Sequence, residues 1–169
     1  MNKLFMAVLG GNCGNSNIEV HDVRFVIGTS IDECIPELRR QWFGDAKGLH
    51  LDSYTEISHA QGFDVTVSDK PSQSSERLYF VNVGGYRAGK CLEFHDIGLF
   101  VASNEATAKK HALESLLAGH EQTHRDDVYA VDDCLELHEL AGQYIQLTPC
   151  SESLPLTPTW YGYRPIDRD

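Results

Sequence analysis

Apolar and polar positions along the chain form two similar series. Continuous apolar runs occupy residues 4–9 and 78–83, and each run is followed by two glycines. Runs of this kind predict strands that are buried on both faces. A polar loop and then an alternating segment follow each run, at residues 18–27 and 92–101, and the alternation predicts a second strand in each series.

A helix is predicted after the second strand of each series. In the first series, Ser30 and Glu33 form a capping-box pattern ahead of apolar residues at helical spacing. Pro36 lies inside this segment, so we expect its first turn to be kinked or separate. In the second series, Asn104 is the predicted N-cap of a helix over residues 105–118.

The two series are copies of one unit. Shifting the chain by 74 positions aligns residues 4–53 with 78–127 without a gap. Beyond that block a short insertion is expected in the second copy, after which Gly62 matches Gly142. Identical pairs include Leu4/Leu78, Gly10/Gly84, Gly11/Gly85, Glu19/Glu93, His21/His95, Asp22/Asp96, His50/His124 and Asp52/Asp126.

Two short strands joined by a tight turn close each copy, which gives the order β-β-α-β-β twice. We therefore predict an α+β fold made by internal duplication, with antiparallel sheets that are each covered by one helix. Units of this size are marginal alone, so a shared core around a pseudo-two-fold axis is expected. The predicted organisation is a first repeat (1–68), a polar linker (69–77), a second repeat (78–149) and a C-terminal extended arm (150–169), whose prolines argue against a regular element.

Charge and cysteine content narrow the function. The chain has 169 residues and a formal net charge of −11, which argues against binding to nucleic acid or to anionic membranes. Its five cysteines are odd in number and include no C-x-x-C pair, as is typical of reduced thiols. We expect a cytoplasmic protein.

A repeated Glu-x-His-Asp motif is the main candidate for chemistry. Strand alternation places its Glu and His on the face that continues into the core, and its Asp on the opposite face. One interpretation is a structural His–Glu pair that ends each strand; the other is a divalent-metal site formed by Glu19, His21, Glu93 and His95. The remaining members of the motif are Asp22 and Asp96.

A second repeated pair, His-x-Asp, stands between the helix and the third strand of each copy. It comprises His50 with Asp52 and His124 with Asp126. An aspartate in such a position commonly holds a turn. The alternative is that these residues join the first motif and form a His/Asp cleft in each half.

Several stretches resemble a bacterial family known as domain of unknown function 1543. They include NIEVHDVRFVIG, QWFGDAKGLHLDSY, LYFVNVGGY, EFHDIGLFVA and the closing W-x-G-Y-x-P-I segment. The resemblance covers nearly the whole chain, and the family carries its domain in one or two copies. It implies no activity, cofactor or catalytic residue.

Three functions are therefore considered. The first is a non-catalytic module that binds a small molecule or a protein partner between the halves, without a cofactor. The second is a metal-assisted, hydrolase-like enzyme that uses the repeated His, Glu and Asp residues. The third is an assembly role in a homo-oligomer, with the aromatic tail exchanged between subunits.

Overall fold

The structure, a computed structural model, describes residues 1–86, 89–116, 130–151 and 155–168. It is an α+β fold with two helices. The elements are β1 (Lys3–Gly11), β2 (Val20–Gly28), α1 (Ile31–Gln41), β3 (His50–Ile57), β4 (His59–Ala60), β5 (Phe63–Ser68), β6 (Arg77–Gly85), β7 (Phe94–Ala102), α2 (Glu105–Ser115), β8 (Ala130–Leu137), β9 (Glu139–Leu140), β10 (Gln143–Pro149) and β11 (Trp160–Pro165).

The strands form three antiparallel sheets. The first sheet has the order β11-β3-β1-β2, and the second sheet has the order β7-β6-β8. A bridging sheet, β4-β5-β10-β9, takes two strands from each half of the chain and joins them by pairing β5 with β10. The two halves are therefore linked by backbone hydrogen bonds as well as by side-chain packing.

Strand register corrects the sequence alignment beyond the helices. Gly10 lies opposite His50 in the first sheet, whereas Gly84, its counterpart 74 residues later, lies opposite Ala130 in the second. The third strands are thus 80 residues apart, and the insertion in the second copy precedes its third strand. The expected match of His50 with His124 is wrong at the level of the strands; His124 and Asp126 themselves lie outside the described residues.

The closing hairpins agree with the predicted turns. Gln61 and Gly62 have φ angles of 45° and 81°, and Ala141 and Gly142 have φ angles of 52° and 77°. Two successive residues with positive φ are typical of the type I′ turn, whose twist suits a two-residue hairpin. The same turn geometry therefore recurs 80 residues apart.

The first helix is capped as predicted but is not interrupted. Ser30 Oγ accepts a hydrogen bond from the Glu33 backbone N–H at 3.4 Å, and α1 runs continuously through Pro36. The carbonyl that loses its partner at Pro36 belongs to Asp32, which is exposed, so water can satisfy it. The second helix ends at Ser115, earlier than the predicted residue 118.

The core has three parts. The central cluster lies between the sheets, and its members include counterparts from the two copies: Leu4 with Leu78, Met6 with Phe80, Phe25 with Leu99, Ile57 with Leu137, and Val65 with Ile145. Alternate residues of β1, such as Phe5 and Leu9, instead pack against α1, and Tyr79 and Val81 of β6 contribute to the cluster that includes α2 residues. Both first strands are therefore buried on both faces, as their apolar runs predict.

The C-terminal segment includes a strand, contrary to the expectation from its prolines, and the pairing of this strand is irregular between Tyr161 and Arg164. Strand β11 pairs with β3 at the edge of the first sheet, where a proline is tolerated because one side of an edge strand needs no partner. Ile166 follows it and is 1% exposed, and Arg39 Nε donates to the Ile166 carbonyl at 2.5 Å. Within the described ranges, the second sheet has three strands and no equivalent of β11.

Neither described helix has the length and apolar character that crossing a membrane requires.

Candidate metal centre

One end of the first sheet gathers polar side chains from the two strands that flank β1. Gly10 of β1 pairs with His21 of β2 on one side and with His50 of β3 on the other. Glu19 precedes β2 by one residue, and Asp52 follows His50 by two. The Glu-x-His-Asp and His-x-Asp motifs of the first copy therefore lie close together, because β1 is the only strand between β2 and β3.

Four close approaches define the cluster. His21 Nε2 lies 3.2 Å from Asp52 Oδ2 and 3.7 Å from Glu19 Oε2, while His50 Nε2 lies 3.3 Å from Glu19 Oε1 and 3.4 Å from Asp52 Oδ1. Ligand atoms of Glu19, His21 and His50 all lie within 4.8 Å of one another. Two ligands of a tetrahedral zinc ion, each about 2.0 Å from it, are about 3.3 Å apart, so this spacing suits a metal.

The orientation of His50 is fixed by its other nitrogen. His50 Nδ1 lies 2.9 Å from the Gly48 carbonyl oxygen, and a carbonyl only accepts, so Nδ1 carries the proton. Nε2 then points towards the carboxylates of Glu19 and Asp52. A metal-ligating histidine characteristically donates its second N–H to a carbonyl in this way.

Burial makes the cluster closed on one side and open on the other. His50 is 1% exposed, and the Tyr163 ring from β11 covers it at a centroid distance of 4.3 Å. The His21 side chain is 52% exposed. An ion held here would therefore have protein ligands beneath it and room for an exogenous group above it.

The glycine before the loop has a packing role that sequence reasoning missed. A Cβ added to Gly10 would lie 2.4 Å from His50 Nε2 and 2.9 Å from Asp52 Oδ2. Gly10 and Gly11 are the last two residues of β1. The glycine itself is visible in the sequence. That it lies opposite a buried histidine is known only from the strand register.

Among the residues that the structure describes, the second copy repeats one contact of this arrangement. His95 Nε2 lies 3.7 Å from Glu93 Oε2, the same separation as in the first copy. The position of His50, however, is taken by Ala130, which offers no ligand atom. The two copies therefore differ at the register position of His50.

The predicted shared metal set of Glu19, His21, Glu93 and His95 is not assembled. Among the described residues, two groups of three or more ligand atoms lie within 4.8 Å, and His95 belongs to neither. His21 and His95 instead line one cleft of about 350 Å³. Its other lining residues are Val8, Asp22, Val23, Phe80, Asn82, Ile97 and Asp133.

The aspartates of the Glu-x-His-Asp motifs have local roles. Asp22 Oδ1 accepts from the Val23 backbone N–H at 2.8 Å, and Asp96 Oδ1 accepts from the Ile97 N–H at 3.0 Å. Asp22 also pairs with Arg24. The motif thus divides into a Glu and His that face the cluster and an Asp that bonds the backbone of its own strand.

Comparisons with known proteins agree with this architecture. The model of the Domain of Unknown Function family DUF1543 matches residues 16–67 and 90–140, so the chain belongs to this family and carries its domain twice. The crystal structure of a protein Il1583 from Idiomarina loihiensis is similar, with a TM-score of 0.77 and 35% sequence identity over 98% of each chain. No curated protein matches the chain.

Proposed function

We propose that this two-copy member of the DUF1543 family binds a divalent transition-metal ion through Glu19, His21 and His50, and a small molecule in the adjoining cleft. The main support for this proposal is that ligand atoms of the three side chains lie within 4.8 Å of one another. Two imidazoles and one carboxylate form a facial set that is common at open metal sites. Acidic surroundings also favour a cation, since the chain carries a net charge of −11.

The cleft supports the small-molecule part of the proposal. Its lining includes apolar residues from both copies, Val8 and Val23 with Phe80 and Ile97, together with His21 and His95. A concave surface with a few convergent polar groups is the usual form of a ligand site. His21 lines the cleft and also belongs to the cluster, so a ligand in the cleft would lie beside the ion.

A pseudo-two-fold relation between the halves is part of this proposal. In the bridging sheet, Thr66 pairs with Gln146, which is its own counterpart 80 residues later. An antiparallel pair in which a residue meets its counterpart is what a local two-fold axis produces. Such an axis accounts for one cleft lined by both His21 and His95.

A metal-assisted hydrolytic activity is the second candidate, favoured by the position of Asp52. Its carboxylate lies 3.2 Å from His21 Nε2, yet Asp52 is outside the group whose ligand atoms are mutually within 4.8 Å. A carboxylate beside the ligand set can take a proton from an attacking water. A bound divalent ion supplies Lewis-acid polarisation of the substrate oxygen.

Metal analysis tests the binding site directly. Protein purified without a His tag is loaded with Zn²⁺ or Mn²⁺, desalted and assayed for ions per chain. His50→Ala should bind one ion fewer than wild type, whereas the matched control His138→Ala, whose histidine is exposed beside Glu136, should be unchanged. Equal ion content in wild type and His50→Ala would overturn the proposal.

The catalytic alternative needs a separate test. The metal-loaded protein is assayed against small esters, phosphoesters and amides, together with Asp52→Asn. A hydrolase should lose turnover in Asp52→Asn while keeping its ion. Turnover that is unchanged in Asp52→Asn argues against Asp52 as the base.

A further inference from the structure

We propose that His59, Asp64 and Cys150 form a second metal site, which takes a thiophilic cation such as Zn²⁺. Ligand atoms of the three side chains lie within 4.8 Å of one another. This set includes a thiolate donor, unlike the cluster at His50, and soft sulfur ligands favour Zn²⁺ over Mn²⁺ or Mg²⁺. The site would link the β4–β5 hairpin of the first copy to the residue that follows β10 of the second.

Backbone pairing fixes the three residues independently of any ion. His59 and Asp64 are directly opposite each other in the β4–β5 hairpin, and His59 Nε2 lies 2.9 Å from Asp64 Oδ1. Cys150 is anchored to the same hairpin because its N–H donates to the Gly62 carbonyl at 2.8 Å. The donors therefore converge through main-chain geometry, which lowers the entropic cost of binding.

The second nitrogen of His59 also has a partner. Its Nδ1 lies 2.9 Å from Ser58 Oγ, so Nε2 is the nitrogen directed at Asp64 and available to a metal. Partners of this kind orient metal-ligating imidazoles. All three proposed ligands are half-buried, so a cation can enter from solvent.

Space for a further ligand lies beside the site. His59 lines a groove of about 430 Å³ between the end of β3 and residues 155–159. Three protein ligands with an adjoining open groove leave a fourth coordination position for water or a small anion. The local structure thus resembles an accessible zinc site more than a closed structural one.

The duplicated fold does not explain this set of residues. With the 80-residue offset of the closing hairpins, the counterparts of His59 and Asp64 are Glu139 and Tyr144. The second hairpin forms with the same turn but without a histidine. A His–Asp–Cys set is therefore not needed to build the hairpin.

Binding at this site has a defined proton balance. The Cys150 thiol must lose its proton to form the sulfur–metal bond, and that proton passes to solvent. Asp64 and neutral His59 bind without further change in covalent structure. No oxidant or reductant is involved.

Cobalt titration tests this proposal and separates it from the centre at His50. Co²⁺ bound by a thiolate gives a near-ultraviolet sulfur-to-metal charge-transfer band, which nitrogen and oxygen ligands do not give. Wild type and His50→Ala should both show the band, while Cys150→Ser and His59→Gln should lose it and bind Zn²⁺ at least about tenfold more weakly. Cys13→Ser is the matched control, since Cys13 is exposed and lies in the loop between β1 and β2.

The outcomes are distinguishable. No band in the wild type, or a band that persists in folded Cys150→Ser, would overturn the second site and leave the centre at His50 unaffected. If His50→Ala binds one ion fewer than wild type but keeps the charge-transfer band, the result supports both sites. If thermal melting shows that Cys150→Ser folds poorly, His59→Gln is the variant that tests the second site. It leaves the Cys150 thiol and the hydrogen bond from Cys150 to Gly62 in place.

Discussion

The Tyr163 ring lies against the His50 ring, with centroids 4.3 Å apart and planes inclined by 35°. The first residue belongs to the C-terminal strand and the second to the proposed metal centre. Tyr163 is otherwise largely exposed, and its ring contacts that of the histidine. The C-terminal strand thus contacts the proposed metal centre through Tyr163. Removing this contact should make the His50 side chain more mobile.

Replacing Tyr163 tests that role. Tyr163→Ala should weaken metal binding several-fold and lower the free energy of unfolding by about 1 kcal/mol, the usual value of an aromatic pair. Tyr163→Phe should keep both, because the ring remains. Metal titration and urea unfolding provide the measurements. Equal affinity in Tyr163→Ala and wild type would show that His50 needs no cover.

Gly10 should be essential to the centre. The Cβ of Gly10→Ala would overlap His50 Nε2, so His50 must move and metal affinity should fall by about tenfold or more. Gly84→Ala is the matched control, since Gly84 faces Ala130 and its change should leave the affinity unaltered. Metal titration of the two folded variants is the measurement. A smaller effect for Gly10 than for Gly84 contradicts the geometry.

Restoring the missing histidine should create a second centre of the first kind. Ala130→His places a histidine at the register position that His50 occupies in the first sheet, in the copy that carries the Glu93–His95 pair. We expect one additional ion per chain by metal analysis. Ala130→Asn serves as the control and should add none. An unchanged ion content in folded Ala130→His would show that register alone does not define the site.

Ile166 should contribute strongly to stability. It is 1% exposed within the cluster that packs on α1, so Ile166→Ala should lower the free energy of unfolding by about 2–5 kcal/mol. Ile18→Ala makes the same chemical change at a position that is 64% exposed and should cost well under 1 kcal/mol. Denaturant unfolding compares the two. Similar costs would mean that the tail is not docked.

Cys34 should make stability depend on alkaline pH. Burial, assisted by the carboxylates of Glu33 and Glu37, raises the pKa of its thiol to about 11, against about 8.5 in an unfolded chain. The unfolded thiol therefore ionises first as pH rises, and the stabilisation present below about pH 8.5 is lost towards pH 11. The stability difference between wild type and Cys34→Ala should shrink over this range in urea unfolding. A constant difference contradicts the assignment.

Local patterns account for most of the fold. The buried runs of β1 and β6, the capping residues Ser30 and Asn104, and the paired hairpin turns are all determined by neighbouring residues. Because such signals depend on residues a few positions apart, they can be recognised in the sequence without the tertiary structure. Pro36 and the prolines of the tail led to expectations that the structure does not follow. Each proline removes a backbone hydrogen-bond donor, but the exposed face of a helix and an edge strand tolerate that loss.

The sequence by itself determined the duplication, the α+β elements and the candidate residues, since periodicity and repetition are written along the chain. Only the tertiary structure decided that Glu19 and His21 meet His50 and not His95, that Ala130 replaces His50 in the second copy, and that His59 approaches Cys150. Those outcomes depend on strand register and on the position of the insertion. A shift of a few residues between distant strands leaves local patterns almost unchanged, but it changes which side chains share a site.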